Sequence, residues 1–387
     1  MPPSPSPADN PSYTLVTSNN KLAQFISLGE SFEEIALDTE FKAGSTYRPV
    51  LGLIQAALGG AVYLIDPQTC DVTLLTRLFA SPAQFIFHAA FSDLEILNSS
   101  VGRLPKNIFD TQIAASLLGY ESVSLAYLVE DILGHYMDKT SRMIDWTKRP
   151  VPQHALAYAA TDVAYLAELK NILLARLSSK DMLSWLNEDH VSMLAAVTTP
   201  TPRDAWSKIK GARALSGPQR AALRDLTDWR TQQAILRDIP VPHVCDDSTL
   251  LKLAKRRPID PAKISSIAPG LSRELVTALT TLLANPRPEI PVPPASGPPK
   301  ELEPLIGFLQ SAISAFADDI SVSPSALATK SDLTAFVLGQ PSRLGTGWRN
   351  QVVVPILVQL INGERSLRVV PSSKRLTISH LADITGS

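Results

Sequence analysis

The sequence predicts an α/β domain built on a mixed sheet, followed by two small all-helical units. Three observations carry that prediction. Apolar runs with strand character alternate with helical periodicity up to about residue 195. Beyond that point the β pattern fades and helix-capping signals recur. A stretch holding Pro286, Pro288, Pro291, Pro293, Pro294, Pro298 and Pro299 then reads as a stiff, extended spacer between two helical segments. A chain of 387 residues is also too long for a single compact core.

Taken in order, residues 13–17 read as a short strand, and Ser18 is placed to cap a helix that Gly29 ends. Residues 34–41 form an apolar strand. Arg48-Pro49 breaks the chain before a strand over 50–57, and Gly59-Gly60 turns it back into 61–65, so these three runs form a meander of neighbours. An amphipathic helix follows at 71–79, then a buried strand at 84–87 and helical spacing over 90–97. Residues 108–109 are a brief strand before Asp110, which is suited to cap a helix over 111–118. Another helix covers 125–133, and Pro152 opens a long one running past Leu166. Strands first and mixed elements later indicate a mixed sheet. The next segment is helical at 218–238, 247–256, 260–267 and 272–283, and a third helical unit runs from 301 to about 367 before a polar tail. The expected domains are 1–200, 201–287 and 301–387, with a linker at 288–300.

Composition narrows the function classes. The 45% hydrophobic and 19% charged fractions suit an ordinary folded protein. Cys70 and Cys245 lie too far apart to suggest a disulfide framework or metal spacing, as expected in a reducing cytoplasm. The Pro- and Ser-rich start has no basic and apolar leader pattern, and the longest apolar run, 352–361, is interrupted by Pro355 and Gln359. A cytoplasmic location with no membrane partner is therefore expected. The net charge of −1 hides an asymmetry: residues 1–200 hold 13 Lys and Arg against 21 Asp and Glu, whereas residues 201–287 hold 15 against 8. An acidic segment joined to a basic one suggests a metal site beside a polyanion-binding module.

The stretch Ile35-Ala36-Leu37-Asp38-Thr39-Glu40-Phe41 runs an apolar strand straight into two carboxylates. At i and i+2 both side chains leave the same face of a strand, roughly 6–7 Å apart at Cα. Like charges at the end of a buried strand repel and lose hydration, and a hard divalent cation compensates them well. Alone, such a pair is more often a solvated strand end than a ligand pair. Asp93 falls near the first turn of a helix after a strand, where it either joins a site at the sheet edge or merely complements the helix dipole. His88 reads more readily as a satisfied core histidine than as a group orienting the site. Tyr158-Ala-Ala-Thr-Asp162 places a phenol and a carboxylate one turn apart on one helix face. Ala155, Ala157, Ala159 and Ala160 keep that helix slim enough to lie close to a sheet.

Those four acids in that order, with Tyr158 four residues ahead of the last, resemble the DEDD exonucleases, in the subclass whose third motif carries Tyr. The surroundings resemble the ribonuclease D family: Leu37-Asp-Thr-Glu-Phe41, Arg48-Pro-Val-Leu-Gly-Leu-Ile-Gln55, Leu64-Ile-Asp-Pro67, Phe109-Asp-Thr-Gln112, Asp138-Lys-Thr-Ser-Arg142 with Asp145-Trp146, and Tyr158 to Asp162. The resemblance covers about residues 10–195. Residues 203–285 resemble the helical HRDC domain of that family, and Ser323 to Leu333 with Gly347-Trp-Arg349 resemble a second HRDC-like unit. Ala89 departs from the pattern, since many relatives carry Asn after the histidine.

The resemblance implies a ribonuclease-H-like exonuclease domain in which Asp38, Glu40, Asp93, Tyr158 and Asp162 are catalytic. The four acids would hold two Mg²⁺ or Mn²⁺ ions, and Tyr158 would orient the attacking water. The implied reaction is hydrolysis of RNA from a free 3′ end, releasing nucleoside 5′-monophosphates. Single-stranded 3′ ends of tRNA precursors are the implied substrates, and a monomer the expected state. Lys139, Arg142, Lys148 and Arg149, clustered before the Tyr158 helix, read either as phosphate-positioning groups or as a solvated basic loop. Lys252, Lys255, Arg256 and Arg257, with Arg220, Arg224 and Arg230, are weaker candidates for gripping the RNA body. Two rival readings are a catalytically silent RNA-binding scaffold and a DNA-directed 3′–5′ exonuclease.

Overall fold

A computed structural model describes residues 11–137, 144–198, 205–285, 287–288 and 298–380. Six strands, β1 (Tyr13–Val16), β2 (Glu34–Lys42), β3 (Val50–Leu58), β4 (Ala61–Ile65), β5 (Gln84–Phe87) and β6 (Ile108–Asp110), form one sheet in the order β1-β4-β3-β2-β5-β6. β1 is parallel to β4, β3 is antiparallel to β4, and β5 is parallel to both β2 and β6. The sheet is therefore mixed, and β2, β3 and β4 are neighbours as the meander requires. Both of its faces are covered, which explains the near-continuous apolar runs. Along β2, Ile35 and Leu37 enter one core and Ala36 the other. A one-residue slip would exchange every side chain between the two cores and turn the carboxylates to the wrong face.

Helices α1 (Asn19–Gly29), α2 (Phe91–Val101), α3 (Thr111–Leu117), α4 (Leu125–Leu128), α5 (Gln153–Ala164), α6 (Leu166–Ser179) and α7 (Leu183–Thr198) pack around the sheet. The Ser18 side chain caps α1 by accepting from the Lys21 amide, and Gly102, at φ 82°, ends α2 in the left-handed conformation. Three expectations need correction. Residues 71–79 form two short 3₁₀ turns, Val72–Thr76 and Leu78–Ala80, because a segment this short barely outlasts helix nucleation and its Leu75, Leu78 and Phe79 reach the core without a full helix. The helix expected over 125–133 widens after Leu128 into a single π turn, Val129–Leu133, that Gly134 ends at φ 74°. The long helix after Pro152 is interrupted at Tyr165, whose ring stacks on His135 with centroids 4.8 Å apart. Neither Pro nor Gly marks that break.

The chain divides into two compact units. The smaller comprises Lys42–Val50 and Thr199–Ser296 and contains α8 (Gly217–Arg237), α9 (Val241–Val244), α10 (Asp247–Arg256), α11 (Pro261–Ile267) and α12 (Arg273–Ala284). A capping box between Ser216 and Gln219, with Pro218 in the first turn, starts α8. Leu223, Leu226, Leu250, Leu253 and Leu279 form its core, with Tyr47 packed against it and the Tyr47 amide donating to Asp238 at 3.2 Å.

The larger unit holds the sheet and the C-terminal elements α13 (Glu303–Ile320), α14 (Pro324–Leu327), α15 (Lys330–Val337), α16 (Gly347–Val352) and α17 (Val354–Ile361). The segment expected as a separate third unit thus shares a core with the first: Ile306, Leu309, Ile313, Leu327 and Leu357 pack in one cluster with Leu117, Leu173, Leu177 and Leu186. Arg349 grips Asp189 with two nitrogens, at 2.5 and 2.8 Å, and Trp348 stacks on Trp185 with centroids 4.3 Å apart. The expected polar tail is instead a β-hairpin as far as residue 380: β7 (Arg365–Val370) pairs antiparallel with β8 (Arg375–His380). Its period-two pattern, with Leu367 and Val369 opposite Ile378 and Leu376, is the signal that a helical reading passes over.

Candidate active site

β2 ends the apolar core with Asp38 and Glu40 on one face, and α5 brings Asp162 to them. One carboxylate oxygen from each of the three lies within 4.8 Å of the others. The approach depends on α5 being thin where it meets the sheet, for Ala155, Ala159 and Ala160 are fully buried. Tyr158 is half-buried one turn before Asp162 on the same helix face.

Asp93 arrives differently. The Gln84 amide donates to the Glu33 carbonyl at 2.8 Å, so by strand alternation the odd-numbered residues of β2 direct their backbone groups toward β5. The β2–β5 ladder runs only to Ala36 opposite Ile86, and β5 ends at Phe87. The Thr39 amide therefore lies beyond the ladder. Asp93, in the first turn of α2, takes it: Oδ1 accepts from Thr39 N at 3.1 Å and from Thr39 Oγ1 at 2.5 Å. The fourth acid is thereby tied to the residue between the first two.

The electrostatics follow from this crowding. Burial, then the charges of Asp93, Asp162 and Glu40, push the Asp38 carboxyl well above its ordinary value, against a smaller opposing effect of the Thr39 amide. Asp93 is raised to about 7, chiefly by burial, although both Thr39 hydrogen bonds pull it down. Several hard oxygen donors that repel one another when ionised suit a hard divalent cation, whose charge reverses the penalty.

Around this core lies a scaffold. Asp110, buried at the end of β6, caps α3 by accepting from Gln112 N and Ile113 N, and its two oxygens also accept from Ala89 N and Ala90 N. It thus pins the turn that leads into α2 and Asp93. Ala89 in that turn has φ 60°. His88 meets Thr111 Oγ1 at 2.9 Å, Thr111 donates on to the Phe87 carbonyl, and burial holds the imidazole below its ordinary value despite nearby Asp110. These hydrogen bonds place His88 in the scaffold.

A 3′–5′ exonuclease family model matches residues 13–178, and an HRDC domain model matches residues 219–283. The ribonuclease D of Jannaschia sp. (strain CCS1) is 32% identical over 375 residues, covering 91% of this chain and 96% of the relative. That of Pseudomonas paraeruginosa (strain DSM 24068 / PA7) is 32% identical over 338 residues, covering 84% and 90%. The chain belongs to the ribonuclease D family. Its fold matches the crystal structure of Escherichia coli RNase D, described as an exoribonuclease involved in structured RNA processing, with a TM-score of 0.78 and 28% identity over 91% of this chain and 99% of that one. This member of the ribonuclease D family is a 3′–5′ exoribonuclease. Among the described residues, no helix is long and apolar enough to cross a membrane.

The basic residues of this ribonuclease D-family chain divide sharply by environment. Lys139 and Arg142 lie outside the described residues. Lys148 is exposed. Arg149, a phosphate-positioning candidate in the sequence, is half-buried and staples neighbouring segments together. Its Nε and Nη2 bind the two Asp66 oxygens at 2.7 and 2.6 Å, and its remaining donors reach the carbonyls of Gly52, Trp146 and Lys148. Burial pushes Asp66 up, but the Arg149 hydrogen bonds, the Gln68 amide and the guanidinium charge outweigh it and hold the carboxyl below its usual value. In the helical unit, Arg220 and Arg230 are buried, the former on the Leu215 carbonyl and the latter on Asp247 and the Cys245 carbonyl, while Arg224 pairs with Asp225. Those three hold the unit together, whereas Lys252, Lys255 and Arg256 are exposed and Arg257 is half-buried. Thr39 is a site residue that the sequence reading misses, although a hydroxyl flanked by two carboxylates on a strand is a visible signal.

Proposed function

We propose that Asp38, Glu40 and Asp162 hold one divalent cation and that Asp38 shares a second with Asp93, making these four residues, with Tyr158, the catalytic set for removal of nucleotides from RNA 3′ ends. The convergence of three carboxylates within 4.8 Å, from elements more than a hundred residues apart in sequence, is the observation that supports this reading. Mg²⁺ and Mn²⁺ both suit an all-oxygen donor set. When bound, such a pair of ions supplies a nucleophile from water at neutral pH and stabilises the leaving oxyanion.

The chain's own groups do the rest. Thr39 fixes the rotamer of Asp93, so the second pair of oxygens is preorganised. Tyr158 presents its hydroxyl one turn from Asp162 and orients the attacking water by a hydrogen bond. Lys148 is the remaining described candidate to hold a phosphate near the site, and Lys252, Lys255, Arg256 and Arg257 offer positive charge to the RNA body on the smaller unit. The products are nucleoside 5′-monophosphates, and the substrates are single-stranded 3′ ends such as those of tRNA precursors. We assign 1–200 to the nuclease domain, 201–287 to the HRDC domain, 288–300 to the linker and 301–387 to a second HRDC-like unit, in a monomeric cytoplasmic enzyme. The buried free thiols of Cys70 and Cys245 suit a reducing compartment.

The test uses a 3′-tailed tRNA resolved at single-nucleotide level, with and without Mg²⁺ or Mn²⁺. Asp38→Asn and Asp162→Asn should each lower turnover by at least ~10³-fold while leaving RNA affinity measured in chelator unchanged. Near wild-type turnover in either variant would remove the residue from the catalytic set.

A further inference from the structure

The C-terminal hairpin takes no part in the site described above, and its charged residues are all of one sign. Residues 365–380 hold Arg365, Arg368, Lys374 and Arg375 and neither Asp nor Glu. Arg368, Lys374 and Arg375 are exposed, and among the described residues none of the three makes an ion pair. The contrast with nearby arginines is direct: Arg343 is paired with Asp332 and Arg349 with Asp189. Arg343 and Arg349, which serve the packing of the C-terminal helices, have acidic partners, whereas among the described residues Arg368, Lys374 and Arg375 have none.

The register puts the hairpin cations to common use. Arg368 lies opposite Thr377, and Val370 opposite Arg375, so Arg368 and Arg375 share one face of the ribbon with Ser366, Thr377 and Ser379. As diagonal neighbours their side chains start about 7–8 Å apart, comparable to the separation of neighbouring phosphates along one strand. Lys374 extends the row at the turn, where its amide donates to the Val370 carbonyl at 2.8 Å and its φ is 55°. The other face carries Leu367 and Ile378, both half-buried, and toward the tip Val369, 60% exposed, beside Leu376. β7 packs against α17 and β8 against α13, so the ribbon has a fixed base.

We propose that this hairpin is an RNA-backbone contact, in which Arg368, Lys374 and Arg375 bind phosphates of the substrate outside the catalytic pocket. The inference rests on the chain's activity on RNA, which supplies a polyanion as the occupant. A ribbon with three exposed cations and no acid complements a phosphate backbone. A second copy of the chain is a poor occupant, because edge-to-edge pairing would bring like-charged ribbons together.

The full-length protein tests this through two substrates. Binding of a long unstructured RNA is measured in chelator across a salt series, and hydrolysis of a dinucleotide is measured with Mn²⁺. The triple variant Arg368→Gln, Lys374→Gln, Arg375→Gln should bind the long RNA at least ~10-fold more weakly at low salt, with a salt slope shallower by about 2, near 0.7 for each phosphate no longer neutralised. Dinucleotide hydrolysis should stay at the wild-type rate. The charge-preserving variant Arg368→Lys, Arg375→Lys should retain most of the affinity, which separates loss of charge from loss of the hairpin. An unchanged affinity and slope in the triple variant overturns the proposal. So does unchanged RNA binding with new self-association by sedimentation, which would make the charges guards of an open sheet edge. Failure of the wild-type protein to shorten a 3′-tailed RNA with Mn²⁺ would count against the metal-site assignment instead, whatever the hairpin does.

Discussion

Ala89 occupies the left-handed region at φ 60°, where an L-residue with a Cβ is held against its preference by about 1–2 kcal/mol. Asp110 accepts its amide and that of Ala90, so the turn is imposed by the hydrogen bonds rather than by the residue. Ala89→Gly should therefore raise stability by about 0.5–1 kcal/mol, read as a higher urea midpoint at unchanged slope. A lower midpoint would mean that the methyl group contributes packing that offsets the strain. Asp93 makes a second case at this scale. Its folded-state value of about 7 lies above the ordinary 3.8. Between those values the unfolded chain releases a proton that the folded, metal-free chain retains, so this group's contribution is present below the lower value and lost as pH rises through the upper. Asp93→Asn should raise the metal-free melting temperature at pH 8 relative to wild type and remove part of the decline between pH 4 and 7. Adding Mn²⁺ should close the gap from the wild-type side. A wild-type curve that parallels the variant's across that window would contradict the assignment.

At the scale of elements, the decisive interactions are those that join segments distant in sequence. Gly119, after α3 with φ 74°, lies against the backbone after α13: a Cβ there would stand 2.6 Å from the Ser321 carbonyl oxygen. Gly119→Ala should lower stability by about 2–4 kcal/mol, from both the clash and the left-handed backbone, with a matching fall in melting temperature. The same scale shows what a sequence can and cannot reveal. The faces of Asp38 and Glu40, and of Tyr158 and Asp162, are legible because i, i+2 on a strand and i, i+4 on a helix are local geometry. The strands are legible for a similar reason, since apolar runs bounded by Gly and Pro are local. The role of Arg149 is not, because its partner Asp66 lies 83 residues away and nothing in the Lys148-Arg149 pair distinguishes a half-buried staple from a free phosphate ligand. The break at Tyr165 and the π turn after Leu128 are illegible too, as both occur in good helical pattern. The hairpin is an intermediate case: its alternation is present, but Val352 to Ile361 just before it is strongly helical and masks the change of period.

For the whole molecule, the main consequence lies in the shared core. Leu117, Leu173 and Leu177, on helices that cover the sheet, are buried together with Ile306, Leu309 and Leu357 from the C-terminal segment. Removing residues 298–387 would expose that apolar surface at roughly 25 cal/mol per Å². The truncated chain should melt well below the full chain and become sensitive to protease in α3 and α6, although every proposed metal ligand is retained. Equal melting temperatures would show that the sheet and its helices are self-sufficient. Charge asymmetry, by contrast, is visible at this scale without coordinates, since it needs only counting.

The early end of β5 has a geometric corollary. Had the strand continued by two residues, a main-chain carbonyl would stand where the Asp93 carboxylate now meets Thr39, and the fourth acid would have been shut out by ordinary sheet formation. The opening beside β2 thus depends on where β5 ends, and lengthening β5 should silence the enzyme while leaving all five named side chains in the sequence.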